Sequence, residues 1–162
     1  LATVPALLVF SVVAVFAYIA GNVQLSGHYL YAFIPGSHEI TIFCAAIIGA
    51  GLGFLWYVCH PASIFLGDTG SLFIGGVLGT AALLIRQELV CLLAGLIFLA
   101  ELLSTFVQEQ IGFRLLKRRV LPRAPLHHVF QHRGMAESKV VVRFWIVSLI
   151  FAATALLTIK LR

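Results

Sequence analysis

The chain has 162 residues, 61% of them hydrophobic and only 10% charged, with a formal net charge of +5. A charged fraction far below the roughly 25% of a soluble domain, with a mean hydropathy of +1.06, excludes a water-soluble globular protein and defines an integral membrane protein. The positive balance does not point to nucleic acid, because seven of the eleven Lys and Arg residues fall between Arg114 and Lys139, a clustering that membrane topology produces.

Five apolar segments approach the roughly 20 residues that a spanning helix needs, at about residues 1–20, 40–58, 67–85, 89–108 and 140–161. Their apolar runs are continuous rather than alternating, which predicts an all-α bundle of about five transmembrane helices in one domain and not a barrel. The first segment opens at Leu1 without a Met, so the sequence reads as part of a longer membrane protein. Between the first two segments, the alternation in Tyr29-Leu30-Tyr31-Ala32-Phe33 predicts a small extracytoplasmic hairpin. Gly49, Gly51 and Gly53 in the second segment, with Gly75 and Gly79 in the third, predict close helix packing rather than a dinucleotide fingerprint. The third segment reaches spanning length only if its helix starts near Gly67. A tight turn at Arg86-Gln87-Glu88 makes the third and fourth helices antiparallel neighbours. Cys44, Cys59 and Cys91 have no disulfide or metal spacing and read as small apolar packers.

Residues 109–139 form a basic loop whose charge places it in the cytoplasm. Counting crossings from there puts the loop before the third helix on the same face. It puts residues 23–39, the Arg86 turn and the C-terminus on the other.

The strongest chemical signal lies at the start of that third helix. Asp68 is the only aspartate in the chain, within Phe65-Leu66-Gly67-Asp68-Thr69-Gly70-Ser71. A carboxylate at the edge of a spanning segment tends to be functional, and a helix N-terminus flanked by glycines suits a phosphate. An aspartate there repels phosphate unless a divalent cation intervenes, so the motif predicts Mg²⁺ held by Asp68. The bland alternative is a helix cap. A second signal is Ala124-Pro125-Leu126-His127-His128-Val129-Phe130-Gln131-His132, where adjacent histidines offer acid–base groups or donors to phosphate. A third is a stripe of Glu101, Ser104, Thr105 and Gln108, spaced to share one face of the fourth helix and to line the bundle interior or a cleft. The alternative for that stripe is hydrogen-bonding between helices. Arg114, Lys117, Arg118, Arg119 and Arg123 serve mainly as topology and headgroup contacts, with one or two free to hold a substrate's phosphates.

These motifs, in order and at matching spacing over essentially the whole chain, resemble the C-terminal half of the phospho-N-acetylmuramoyl-pentapeptide-transferase family. The matching stretches also include Gly49-Ala50-Gly51-Leu52-Gly53-Phe54-Leu55-Trp56, Leu84-Ile85-Arg86-Gln87-Glu88 and Val142-Arg143-Phe144-Trp145-Ile146. The resemblance implies a polytopic enzyme of the bacterial cytoplasmic membrane with its active face toward the cytoplasm. It also implies Mg²⁺, a UDP-linked sugar-peptide donor, a polyprenyl phosphate acceptor and a homodimer. The acceptor phosphate attacks the sugar-linked phosphate of the donor and UMP leaves, giving the first lipid-linked intermediate of peptidoglycan. Carried over by position, Asp68 is the Mg²⁺-associated aspartate, and His127 and His128 begin the histidine motif. Phe65 packs on the uracil ring, Gln108 contacts the nucleoside, and Gly67 and Ala124 complete the substrate-binding set. Val129 stands where a third His is frequent, Gln131 where Glu is frequent, and Val58 where Asn is frequent. The family's other aspartates would precede Leu1, so the segment alone is expected to be inactive. A related N-acetylglucosamine 1-phosphate transferase and a non-catalytic membrane interaction or transport segment are the competing readings.

Overall fold

The computed structural model describes residues 1–58, 64–115, 117–118 and 124–160. Cys59, Arg119 and Arg123 lie outside them. Among the described residues every regular element is helical. Four helices are each long and apolar enough to span a bilayer, and a bent pair makes a fifth candidate.

Helix α1 (Thr3–Gly21) is apolar on every side and therefore belongs at the centre. Phe10, Phe16 and Ala17 along it are fully or almost fully buried. Helix α3 (Ser37–Val58) lies along it. Two hydroxyls tie them, Ser37 Oγ donating to the Ala17 carbonyl (3.0 Å) and Thr41 Oγ1 to that of Ala14 (3.2 Å). In lipid such bonds contribute about 0.6–2 kcal/mol each, because the donor has no water to turn to. Gly51 sits where any Cβ would press into Leu7, so the close approach expected from the glycine triplet occurs there. At Gly49, Gly53, Gly75 and Gly79 a Cβ would meet open space. The packing role expected of those four is thus not made within this chain; they lie on the outer faces of α3 and α4, whose exposed Trp56, Ile42 and Leu72 face lipid or other helices.

The hairpin expected between the first two helices does not form. Asn22 Oδ1 instead accepts from the N–H groups of Gln24 (3.0 Å) and Leu25 (3.3 Å), capping a short helix α2 (Val23–His28). Leu30 turns to a positive φ of 56°, and the Ile34 N–H returns to the Ala20 carbonyl (2.9 Å). The apparent alternation arises because Tyr31 alone of its stretch is buried, edge-on against Phe16. A lone two-stranded hairpin has no third strand or packed face to hold it, and the capped helix wins.

Helix α4 (Gly67–Leu84) starts at Gly67, and a turn through Arg86 (φ 53°) leads to α5 (Glu88–Ala94). The fourth apolar segment is not one helix. It breaks at Gly95, where α5 and α6 (Leu96–Phe106) meet at 76°, and α6 runs on into a π-helical stretch, Val107–Leu115. Gly95 holds φ −93° and ψ 16°, between helical and extended, where the missing side chain removes the usual bias toward continuing the helix. Helix α7 (Leu126–His132) then packs on α6 and α8 (Glu137–Leu157).

Interhelical contacts sort the ends of this bundle. Trp145 Nε1, in the first half of α8, reaches the Leu1 carbonyl (3.4 Å), and Thr3 lines a cavity together with Leu66 and Gly70. The starts of α1, α4 and α8 therefore share one end. At the other, the Tyr31 hydroxyl reaches the Thr158 carbonyl (3.5 Å), joining the α2 region to the end of α8.

At Gly21 a Cβ would stand 2.8 Å from the His38 Cβ and against the His38 backbone nitrogen. Backbone cannot move aside as a side-chain tip can, so Gly21→Ala is expected to destabilise by about 1–3 kcal/mol. At Gly27 nothing lies within 4 Å, and Gly27→Ala is expected to be neutral or slightly stabilising. Thermal unfolding of both variants in detergent checks the contrast.

Candidate functional site

Two polar groupings lie toward the end shared by the starts of α1, α4 and α8. The first is the loop into α4. Gly67 adopts φ +66°, a left-handed conformation that L side chains resist, and it turns the chain straight into the helix. Leu66 occupies the cap position without a side-chain bond, so Asp68 is not the cap. It lies in the first turn, exposed, where the helix dipole favours a negative charge. The Ser71 hydroxyl donates to the Asp68 backbone carbonyl (3.0 Å), while the Asp68 carboxylate makes no hydrogen bond or ion pair among the described residues. Phe65 beside it is 81% exposed, an aromatic face open to a planar ligand. A cavity of about 250 Å³ opens on the same loop, lined by Thr3, Leu7, Phe10, Phe54, Leu66 and Phe73 among others. Its lining is almost wholly apolar.

The second grouping joins α6 to α7. The polar stripe does face inward: Ser104 and Gln108 are buried and Glu101 half-buried, while Leu102, Leu103 and Phe106 are exposed. Glu101 uses both carboxylate oxygens on one residue. The backbone N–H of His127 donates to Oε1 (3.2 Å) and ring Nδ1 lies 3.1 Å from Oε2. One residue earlier, the Leu126 N–H donates to Ser104 Oγ (3.1 Å), and that hydroxyl donates to the Glu101 carbonyl (2.7 Å). These groups of α6 satisfy the first free N–H groups of α7, which its own Pro125 cap leaves without a side-chain bond. His128 stacks obliquely on His127, with ring centres 4.1 Å apart, and its Nδ1 lies 2.7 Å from Gln131 Oε1. Below them Phe130 meets Phe144 edge-on, in a small core with Ile97 and Val140.

The expected residues thus fall into separate places. His127 and His128 are together, on a helix that Glu101 and Ser104 anchor. Asp68 and Phe65 are together on the α4 loop, and no hydrogen bond or ion pair joins them to the histidines among the described residues. Gln108 is 4% exposed and already engaged at the start of the π-helical stretch. Ala124 is half-buried just before α7. Among the described residues no three His, Cys, Asp or Glu side chains gather into a metal cage. A single open carboxylate still matches Mg²⁺, which keeps several waters and binds one or two carboxylates plus substrate phosphate oxygens. Sequence reasoning placed Glu101 on an inward stripe but missed its tie to His127. The spacing of that stripe was the available signal; the partner, 26 residues away, was not.

The described residues thus make an all-helical, polytopic membrane chain with an exposed carboxylate in the first turn of one helix and a pinned histidine pair on another. The profile of glycosyl transferase family 4 matches residues 1–86, and the chain belongs to that family. It is 48% identical over 162 residues, its whole length, to the phospho-N-acetylmuramoyl-pentapeptide-transferase of Desulfovibrio desulfuricans, and covers 45% of that protein. It is 49% identical to the protein of the same name from Oleidesulfovibrio alaskensis, with 99% of this chain aligned to 44% of that one. The chain spans less than half the length of these relatives.

Because Gly67 carries a positive φ, Gly67→Ala is expected to cost about 1–2 kcal/mol locally and to fray the first turn of α4. Faster amide exchange at residues 68–71, with unchanged exchange in α1, checks this.

Proposed function

We propose that a full-length protein carrying this segment is a phospho-N-acetylmuramoyl-pentapeptide-transferase. It would move the phosphosugar-peptide of a UDP-linked donor to a polyprenyl phosphate and release UMP. The observation that carries the reading is the identity of nearly one residue in two, across the whole chain, to relatives with that name. The local chemistry agrees with it. Asp68 is the residue that would hold Mg²⁺, whose charge screens the phosphates of donor and acceptor when bound. Phe65 offers a stacking face for a nucleobase. The apolar cavity beside the loop has the chemistry of a prenyl chain, and His127 and His128 are placed to donate to phosphate oxygens. In the transfer, an acceptor phosphate oxygen forms a bond to the sugar-linked phosphorus as that phosphorus parts from the bridging oxygen, which leaves with UMP. By the positive-inside rule, the basic residues around α7 support a reacting end on the cytoplasmic side of a bacterial inner membrane.

UMP release from the UDP-sugar-pentapeptide by the full-length protein should require both polyprenyl phosphate and Mg²⁺. Asp68→Asn should lower turnover by about 100-fold or more, in the range that a single charged catalytic group supplies. Near-normal turnover in that variant removes Asp68 from the reaction. Preference for UDP-N-acetylglucosamine in a donor competition would transfer the reading to the sister activity.

A further inference from the structure

We infer that Glu101 is a positioning residue for His127. It fixes which ring nitrogen carries the proton and at what angle the ring stands, and so presents Nε2 as the working atom of the histidine pair. The inference rests on the transferase reading only for its activity arm.

The geometry is specific. A carboxylate only accepts, so a ring nitrogen 3.1 Å from Glu101 Oε2 is the donor, and Nδ1 carries a proton. Nε2 is then free to accept a proton or, in the imidazolium, to donate to a phosphate oxygen. The second oxygen of the same carboxylate holds the His127 backbone N–H, so the group that orients the ring is itself fixed to the ring's own peptide. Ser104 fixes the preceding peptide through the Leu126 N–H. The His127 and Glu101 side chains are 24% and 17% exposed, shielded enough for the bond to hold and open enough for Nε2 to reach a ligand. His128 has a different partner, the uncharged Gln131 amide. The two adjacent histidines are therefore inequivalent, and His127 is the one whose ring is held by a carboxylate, in the manner of an oriented catalytic imidazole.

A merely structural Glu101 would cap α7 and do nothing to the ring. The two roles separate in Glu101→Gln, which keeps the shape and one acceptor oxygen but cannot accept at both positions. Ser104→Ala serves as the second variant, removing a bond at the helix start while leaving the carboxylate in place. In the full-length protein, ¹⁵N NMR of the histidine ring should show His127 protonated at Nδ1 in the wild type and in Ser104→Ala. Glu101→Gln should shift it toward the Nε2-protonated form. In the UMP-release assay, Glu101→Gln should lower kcat by roughly 100-fold with KM for the UDP-sugar changed less than about threefold. In a His127→Ala background the same substitution should add almost no further loss, since residues acting as one unit are not additive.

Unchanged ring protonation in Glu101→Gln overturns the inference whatever the activity does. So does a loss that is fully additive with His127→Ala. If the wild-type protein shows no UMP release while the ring shifts as described, the transferase reading fails and the positioning role stands.

Discussion

A polar side chain on a spanning helix has no water to fall back on, and that constraint organises this chain. Among the described residues no buried side-chain nitrogen or oxygen lacks a partner. Most are satisfied at short range, as Ser148 is by the Phe144 carbonyl one turn earlier (2.8 Å). Such bonds quiet the hydroxyl but hold nothing together. A few reach across to another helix: Ser37 and Thr41 bind α3 to α1, and Glu101 with Ser104 binds α7 to α6. Those few add directional ties to the apolar packing, and for α1 and α3 they matter because lipid offers spanning helices no hydrophobic reason to choose one neighbour over another.

The same constraint governs what the sequence could reveal. Long apolar runs without alternation have one solution in a bilayer, so the all-helical character was legible from composition and pattern. The inward face of α6 was legible too, since Glu101, Ser104 and Gln108 fall on one side of a helix and acids shun lipid. What remained hidden was local geometry with no periodic signature. Gly95 sits inside an apolar run like several other glycines, and nothing in its neighbours announces a 76° break. The stretch around Tyr31 alternates as a strand would, but Asn22, lying just upstream, offered a cap that the alternation count could not weigh. Glycine spacing proved a poor guide to packing: it held at Gly51 and failed at Gly49, Gly53, Gly75 and Gly79.

At the site, motifs were legible and partnerships were not. Gly67-Asp68-Thr69-Gly70 announces its own chemistry because a carboxylate and glycines stand together in sequence. The Glu101–His127 bond crosses 26 residues, the break at Gly95 precedes it, and the approach depends on how far α6 tilts. No spacing rule carries that information.

The bundle treats Glu101 and Asp68 in opposite ways. Glu101 sits on an apolar helix where an unpaired charge would be costly, and both its oxygens are taken by a single histidine. With each oxygen already bonded to that histidine and the side chain only 17% exposed, it is less open to a substrate or an ion than a free surface carboxylate. Asp68 stands exposed at a helix start, where the dipole already favours its charge, and its oxygens are uncommitted among the described residues. A half-buried carboxylate bonded through both oxygens is tied to its neighbour; one that follows a left-handed glycine in a helix's first turn stays open to solvent. Pairing with a histidine on an inward helix face and exposure in a helix's first turn are thus two separate ways of keeping a carboxylate in so apolar a chain.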